Sequence, residues 1–202
     1  SATHFVYGSS PIRGLEQVLL SWSMIRKAVP GATLSVYYGF PAHVTEQLSK
    51  SMGREKYIQW RERMAQLLDQ EGVTYVGAVD HTTLARAYAS AGFLLYPTNY
   101  PETGCITVQK AMAAGAIPIT SRYTESVLQQ LAHEWDLGPQ TALAPAMGYE
   151  LWIREHWVPA VIAAATAPPA SVREKRQHMR ASIQKQYSWA ASADVLEELI
   201  SA

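Results

Sequence analysis

The stretch Tyr96–Thr120, YPTNYPETGCITVQKAMAAGAIPIT, decides how this chain folds. It starts at the end of an apolar run, passes through a loop bracketed by two prolines, and reaches a carboxylate at Glu102. The small and apolar residues from about 104 to 114 predict a buried helix, and residues 116–120 predict a second buried strand. A strand, a helix and a strand in this order are typical of a parallel βαβ unit.

The loop that precedes this helix is a predicted anion site. Open α/β sheets bind ligands at the carboxyl ends of their strands, where a helix N-terminus presents unpaired N–H groups and the positive end of its dipole. A diphosphate fits such a place. Glu102 can in addition accept hydrogen bonds from sugar hydroxyls, which a site for phosphate alone does not require. Together these features indicate a site for a nucleotide sugar.

The remainder of the first 135 residues repeats the alternation of strands and helices. Strands are predicted at 4–8, 33–38, 73–77, 93–96 and 116–120, with helices between them. Ser10 and Pro11 are suited to cap the first helix, and a further helix is expected to start near Thr124. This order predicts an α/β fold, a Rossmann-like parallel sheet with helices on both faces and right-handed crossovers.

After about residue 135 no further strand is predicted. Turns are expected at Gly138-Pro139 and Ala144-Pro145, and helices at about 149–165, 171–187 and 189–201. Pro168 and Pro169 separate the first of these helices from the second. The simplest organisation is one domain over 1–202, in which an α/β core of residues 1–135 carries a helical extension of residues 136–202.

Composition restricts the possible partners. The 202 residues are 48% hydrophobic and contain 17 basic and 17 acidic side chains, so the net charge of zero argues against a nucleic-acid partner. No targeting or transmembrane segment is recognisable. The single cysteine fits a reducing compartment, and a cytoplasmic location is predicted. The basic run from Arg173 to Lys185 is interpreted as a solvated helix face, with contact to anionic lipid as the alternative.

Several residues occur at characteristic spacings between Gly77 and Arg122. Gly77 follows a strand, Pro97-Thr98 end the next strand, Glu102 comes next, and Lys110 lies eight positions later, before the small residues 111–115. In this pattern the chain resembles the C-terminal, donor-binding half of the GT-B glycosyltransferases, in the large retaining group that includes sucrose and glycogen synthases. The resemblance implies one half of a GT-B fold.

The resemblance also implies roles for individual residues. Glu102 would accept hydrogen bonds from the donor sugar, and Arg13 would neutralise the diphosphate, so that these two form the catalytic pair. The remaining substrate contacts would come from Ser9, Ser10, Gly14, Thr98, the amides of Thr103, Gly104, Cys105 and Ile106, and Lys110. Gly104 would let the backbone approach a phosphate closely.

Two positions depart from the family pattern. A serine stands where the family has an arginine before the phosphate-binding cation, which removes one positive charge. Lys110 stands where the family has a second glutamate that binds the ribose, and an ammonium group can only donate to a hydroxyl. Lys110 could replace the lost cation or select another nucleotide, so the base is not predictable.

The implied activity is transfer of a sugar from a nucleoside diphosphate to a hydroxyl acceptor, with retention of configuration and without a metal or other cofactor. The acceptor would be held by an N-terminal domain that this chain lacks, so the chain alone is predicted to bind donor without turnover. Two alternatives stay open: half of a GT-B-like nucleotide-sugar epimerase, and a non-catalytic module that binds nucleotide sugars. The histidines show no metal-ligand spacing, and Cys105 is interpreted as a small residue in a tight turn.

Overall fold

A five-stranded parallel sheet occupies the centre of the computed structural model, which describes residues 3–123, 125–132, 134–141 and 148–201. The strands run in the order β3-β2-β1-β4-β5, and every neighbouring pair is parallel. They are β1 (His4–Tyr7), β2 (Thr33–Tyr37), β3 (Val73–Gly77), β4 (Phe93–Tyr96) and β5 (Ile117–Thr120). The predicted α/β fold with a parallel sheet is confirmed.

The connecting helices form two packed groups. They are α1 (Leu15–Ala28), α2 (Ala42–Met52), α3 (Arg54–Leu68), α4 (His81–Ser90) and α5 (Ile106–Ala114). Helix α1 packs on α3, whereas α4 packs on α5. Right-handed crossovers put helices on opposite faces when their connections run in opposite directions along the sheet. From β1 through β2 to β3 the chain moves toward one edge of the sheet, and from β3 through β4 to β5 it moves toward the other edge. The two groups of helices therefore cover opposite faces of the sheet.

The central strands β1 and β4 carry the core. Phe5 of β1 stacks on Phe93 of β4 with 5.8 Å between ring centroids and meets the edge of Trp22 at 6.0 Å. All three side chains are buried, as expected for strands covered on both faces. The edge strand β3 is less buried, because Tyr75 and Val76 remain exposed there.

The C-terminal part is helical, as predicted. The helices that follow β5 are α6 (Leu128–Leu131), which still lies in the predicted core, and then α7 (Tyr149–Trp152), a π-helical segment (Ile153–Trp157), α8 (Val158–Thr166), α9 (Pro169–Gln186) and α10 (Trp189–Ser201). The π-helical segment ends two residues before Pro159, which has no N–H to complete an α-helical ladder. Trp157 in this segment is buried and donates from Nε1 to the carbonyl of Ile119 at 3.1 Å, which ties the extension to β5.

Part of the basic run on α9 has a structural role. Arg176 donates to the carbonyls of Gly115 at 2.6 Å and Ala89 at 2.8 Å, at the C-terminal ends of α5 and α4. Lys175 donates to the carbonyl of Glu134 at 3.0 Å. Burial lowers the pKa of both side chains. The interpretation of this run as a solvated face is therefore wrong for these two residues. No helix in the described ranges has both the length and the apolar character to cross a bilayer.

The start of the first helix differs from the prediction. Ser10 and Pro11 do not cap α1, because residues 10–13 form a turn in which the Arg13 amide donates to the Ser10 carbonyl at 2.9 Å. The helix begins at Leu15, after Gly14 in the left-handed conformation. The reason is that Gly14 can adopt a positive φ that ends the turn and opens the helix.

The expectation of no strand after residue 135 is also wrong at one place. Residues Arg122–Tyr123 (β6) pair in parallel with Gln140–Thr141 (β7). The predicted helix start at Thr124 and the turn at Ala144-Pro145 lie outside the described residues, and α6 begins at Leu128.

Asp136 anchors the segment that follows β5. Its buried carboxylate accepts from the Thr120 amide at 2.9 Å, from the Thr120 hydroxyl, and from the Gly138 amide at 2.7 Å. The next amide, of Leu137, donates to the Pro118 carbonyl at 3.0 Å. Burial raises the pKa of Asp136, and the three donors oppose that shift. Residues 136–138 thus lie along the outer edge of β5 and are hydrogen-bonded to it.

We expect Asp136→Ala to lower the free energy of unfolding by at least about 3 kcal/mol, because it leaves three buried donors unpaired. Urea denaturation measures the loss. Asp69→Ala, at an exposed position, is the control and is expected to change stability by less than about 0.5 kcal/mol. Similar effects of the two substitutions would contradict the anchoring role of Asp136.

Candidate functional site

The chain order along the sheet reverses between β1 and β4. The loops that leave these neighbouring strands turn in opposite directions, which opens a crevice at their carboxyl ends. We call residues 8–14 the β1 loop and residues 97–105 the β4 loop. The predicted site residues, apart from Ile106 and Lys110 on α5, all lie in these two loops.

The two loops are held in close contact at Gly14 and Pro97. Gly14 has a φ of +97°, and a Cβ built on it would collide with the carbonyl oxygen of Pro97. The same carbonyl accepts a hydrogen bond from the Tyr149 hydroxyl. A glycine is therefore required at position 14 both for its backbone conformation and for the lack of space.

Glu102 and Arg13 meet across the crevice. Arg13 Nε lies 3.7 Å from Glu102 Oε1, and the two side chains are 22% and 11% exposed. The Tyr96 hydroxyl donates to the same Oε1 at 2.7 Å. The Arg13 guanidinium also lies over the ring of Tyr100, 3.2 Å from its centroid. Burial raises the pKa of Tyr96 well above its ordinary value, so its hydroxyl stays protonated as a donor to the carboxylate.

The backbone around Glu102 is fixed from several directions. The Val127 amide donates to the Glu102 carbonyl at 2.7 Å. Thr98 is fully buried, its hydroxyl accepts from the Tyr100 amide at 3.1 Å, and its carbonyl accepts from the Ser121 hydroxyl. The Thr98 side chain therefore shapes the β4 loop and, in this structure, is not presented to a ligand.

The amides predicted to bind phosphate divide into two groups. Thr103 and Gly104 are exposed, and their amides make no hydrogen bond within the described part of the chain. A Cβ on Gly104 would meet nothing within 4 Å, so the space beside it is open. The Ile106 amide, by contrast, already donates to the Gly104 carbonyl at 3.1 Å. The donors best placed for a phosphate are those of Thr103 and Gly104.

Cys105 is buried at the N-terminus of α5. Burial raises the pKa of its thiol above the ordinary value, although thiols at helix N-termini commonly show the opposite shift. The interpretation of Cys105 as a small residue in a tight turn agrees with this environment.

The two serines of the β1 loop have different surroundings. The Ser9 hydroxyl is buried and donates to the Tyr96 hydroxyl at 3.5 Å, so Ser9, Tyr96 and Glu102 form a hydrogen-bonded row. The Ser10 hydroxyl oxygen is buried and has no hydrogen-bond partner among the described residues. Its carbonyl accepts from the Tyr7 hydroxyl at 2.7 Å. Ser10 therefore keeps an unused donor in the β1 loop.

A cleft of about 390 Å³ extends the crevice toward β2 and β3. We call it the first cleft. Its described lining is Gly8, Tyr37, Tyr38, Pro41, Ala78, Val79, His81, Leu84, Tyr88, Ile106, Thr107 and Lys110, without a carboxylate. Tyr38 has a φ of +101°, and such conformations in bulky residues often occur at ligand sites. The exposed Lys110 thus lines a cleft instead of joining Glu102 and Arg13.

Sequence reasoning missed the aromatic residues of the site. Tyr96 and Tyr100 contact Glu102 and Arg13, and Tyr37, Tyr38 and Tyr88 line the first cleft. A tyrosine at the end of a buried strand is a signal that could have identified Tyr96, because a buried hydroxyl needs a partner. Within the described ranges, no group of three His, Cys, Asp or Glu side chains is arranged to hold a metal ion.

The sheet order, the crevice between β1 and β4 and the long C-terminal helices define one half of a GT-B glycosyltransferase fold, and the expected resemblance is confirmed for the fold. The trehalose-6-phosphate synthase OtsA matches with a TM-score of 0.66 at 10% identity, over 99% of this chain and 44% of OtsA. Sucrose-phosphate synthase from Thermosynechococcus elongatus matches with a TM-score of 0.54 at 18% identity, over 100% of this chain and 47% of its own.

Anabaena HepE, solved in complex with UDP-glucose, matches with a TM-score of 0.50 at 14% identity, over 92% of this chain and 48% of HepE. This chain therefore spans less than half the length of each of these three structures. No protein-family model matches the chain, and no curated protein matches it in sequence.

We expect Gly14→Ala to destabilise the protein by about 1–3 kcal/mol more than Gly31→Ala, as measured by urea denaturation. Both glycines have a positive φ, +97° and +77°, so both variants carry the strain of a left-handed alanine, about 1–2 kcal/mol. Only Gly14 faces a carbonyl oxygen, since a Cβ on Gly31 would meet nothing within 4 Å. Equal losses would contradict the close packing of the two loops.

We expect the thiol of Cys105 to react with iodoacetamide at pH 8 at least about tenfold more slowly than free cysteine, because burial both shields it and raises its pKa. Mass spectrometry follows the reaction, and the same protein unfolded in urea is the control, expected to react at the rate of free cysteine. Fast alkylation of the folded protein would contradict this environment.

Proposed function

We propose that this chain is the donor-binding domain of a retaining glycosyltransferase and that it binds a nucleoside-diphosphate sugar. The observation that carries the proposal is the meeting of Glu102 and Arg13, with 3.7 Å between Oε1 and Nε, at the point where the strand order reverses. A carboxylate suits sugar hydroxyls and a guanidinium suits phosphate oxygens, so the pair matches the two halves of such a ligand.

The sugar is bound by Glu102 in this proposal. The Tyr96 hydroxyl and the Arg13 Nε both contact Oε1, and in this proposal the other carboxylate oxygen accepts from the sugar. A carboxylate held by one hydrogen bond and one ion pair is restricted in orientation before the ligand arrives, which reduces the entropy lost on binding. Recognition of the sugar then depends on hydroxyl groups at the correct positions.

In this proposal the diphosphate is bound by Arg13 and by the end of the β4 loop, just before α5. Arg13 faces Glu102 through Nε, and its guanidinium carries four further N–H donors for phosphate oxygens. The exposed Thr103 and Gly104 amides are unused donors, and the Ser10 hydroxyl in the β1 loop is buried without a partner among the described residues. Negative charge grows on the diphosphate as the sugar leaves, and donors fixed in advance stabilise that charge.

The nucleoside occupies the first cleft. Its volume of about 390 Å³ lies within the range of small-molecule sites, and Tyr37, Tyr38 and Leu84 supply apolar and aromatic surface for a base. Lys110 contributes a cation to its wall. The likeness in fold to HepE, solved with UDP-glucose, supports the choice of UDP-glucose as the first ligand to test.

Transfer itself needs an acceptor. In the proposed enzyme the acceptor hydroxyl is supplied by a second, N-terminal domain, the sugar is transferred with retention, and this chain alone binds donor without turnover. Glycosylation of an acceptor by the 202 residues alone would overturn that part of the proposal.

A non-catalytic nucleotide-sugar-binding module is the second candidate. The observation that favours it is the first cleft, whose described lining includes Lys110 and His81 and lacks a carboxylate for the ribose hydroxyls. A GT-B-like epimerase half has less support, because it depends on paired carboxylates and a histidine, and Glu102 meets Arg13 and Tyr96 instead.

Isothermal titration with UDP-glucose and with UDP tests the proposal, together with ADP-glucose and GDP-mannose as alternative donors. We expect Glu102→Gln to weaken binding of the cognate nucleotide sugar about 10- to 100-fold, because a hydrogen bond to a charged group contributes about 1.5–3 kcal/mol. Binding of the nucleotide without its sugar is expected to change less than about threefold.

Glu62→Gln, at an exposed position of α3, is the matched control and is expected to leave both affinities unchanged. Absence of binding to every nucleotide sugar of the panel would overturn the proposed function. If Glu102→Gln weakened binding of the nucleotide and of the nucleotide sugar equally, Glu102 would not be part of the sugar site.

A further inference from the structure

A second cleft, of about 530 Å³, lies between α4, α5 and the C-terminal half of α9. It is larger than the first cleft and adjoins it, since His81, Leu84, Tyr88 and Lys110 line both. The proposed function uses only the first cleft. The second cleft therefore has no role in the proposed function.

The floor of the second cleft is apolar. It consists of Leu84, Ala85 and Tyr88 of α4 with Ala113 and Ala114 of α5. The alanines leave space that larger side chains would fill, so the groove between the two packed helices stays open. Gln184 of α9 closes one side and donates to the Ala113 carbonyl at 2.9 Å.

The rim of the second cleft is cationic. Arg86 of α4 and Arg180 of α9 line it beside Lys110, and none of the three makes a hydrogen bond or ion pair with the described residues. Its described lining contains no aspartate or glutamate. Because the chain carries 17 basic and 17 acidic residues, this is a local excess of positive charge and not a general property of the surface.

We propose that the second cleft binds an amphipathic anion, a molecule with an apolar body and a phosphate or carboxylate head. The body lies on the floor between α4 and α5, and the head is bound by Arg86 and Arg180, the two cations that do not line the first cleft. The volume suits a ligand of this kind, and cations that lack protein partners favour an anionic head. Lys110 forms the wall between this ligand and the nucleotide.

Octyl phosphate below its micellar concentration is the probe, titrated calorimetrically into the 202-residue protein. We expect saturable one-to-one binding, at least about tenfold tighter than that of ethyl phosphate, because the longer chain buries more apolar surface. Arg86→Gln and Arg180→Gln are each expected to weaken binding at least about fivefold. Arg154→Gln, an exposed position outside the cleft, is the matched control and is expected to have no effect.

A cleft-filling variant tests the apolar floor. Ala85 is exposed on α4, so Ala85→Phe is expected to fold normally and to abolish octyl phosphate binding. Equal affinity for octyl and ethyl phosphate would show that the apolar floor does not contribute to binding and would overturn the proposal. Unchanged binding in both arginine variants would overturn it as well.

The proposal is independent of the proposed function. Octyl phosphate is expected to bind to Glu102→Gln as it does to the natural sequence, and to remain bound in saturating UDP. Displacement by UDP would show that the two clefts are one donor site and would overturn the proposal. If this chain bound octyl phosphate but none of the nucleotide sugars, the result would support this inference and overturn the proposed function.

Discussion

The candidate site depends on one steric constraint, the approach of the Gly14 backbone to the Pro97 carbonyl oxygen. The left-handed φ of +97° ends the β1 loop there and lets α1 start at Leu15. Tyr149 holds the same carbonyl from the C-terminal part of the chain. Because this contact sets the distance between the two loops, it also determines that Arg13 of one loop meets Glu102 of the other.

The electrostatics of the site follow from that geometry. Glu102 is only 11% exposed, and a carboxylate in such a place needs donors, which Tyr96 and Arg13 supply. The Tyr96 hydroxyl uses its single proton in the hydrogen bond to this carboxylate, whereas Arg13 keeps donors available, since its Nε lies 3.7 Å from Oε1, at ion-pair distance. The site is thus organised around a carboxylate that is already partly neutralised, while the guanidinium keeps most of its hydrogen-bonding capacity. Such an arrangement suits a ligand with hydroxyls on one side and negative charge on the other.

The sequence predicted the sheet well because its strands are short runs rich in apolar and β-branched residues between turn residues, and the central strands β1 and β4 are buried on both faces. The bounds of β3 and β4 agree with the prediction residue by residue. The start of α1 was missed since Ser10-Pro11 has the composition of a helix cap, whereas the Tyr7 hydroxyl binds the Ser10 carbonyl and residues 10–13 turn first. The pairing of β6 with β7 involves two residues each, too few to show any periodicity.

The site was predictable where chemistry is local and not where it depends on packing. Glu102 was identified from its residue type and position and Arg13 from the family resemblance, and the structure brings the two together. Tyr96 was missed because an aromatic residue at a strand end is usually a core residue, and Tyr100 because its contact with Arg13 depends on how the two loops pack. The positive φ of Tyr38 and the second cleft were also not predictable, because both result from how separate elements pack.

The two outer strands of the sheet have unequal protection against unwanted strand pairing. Along β5 the peptide groups of Thr120 and Pro118 are already occupied by Asp136 and Leu137, and the proline ring removes one donor from that edge. At the opposite edge β3 exposes Tyr75 and Val76 beside its unpaired backbone. The edge at β3 is therefore the better template for an added strand, and Val76→Lys would place a charge on that edge.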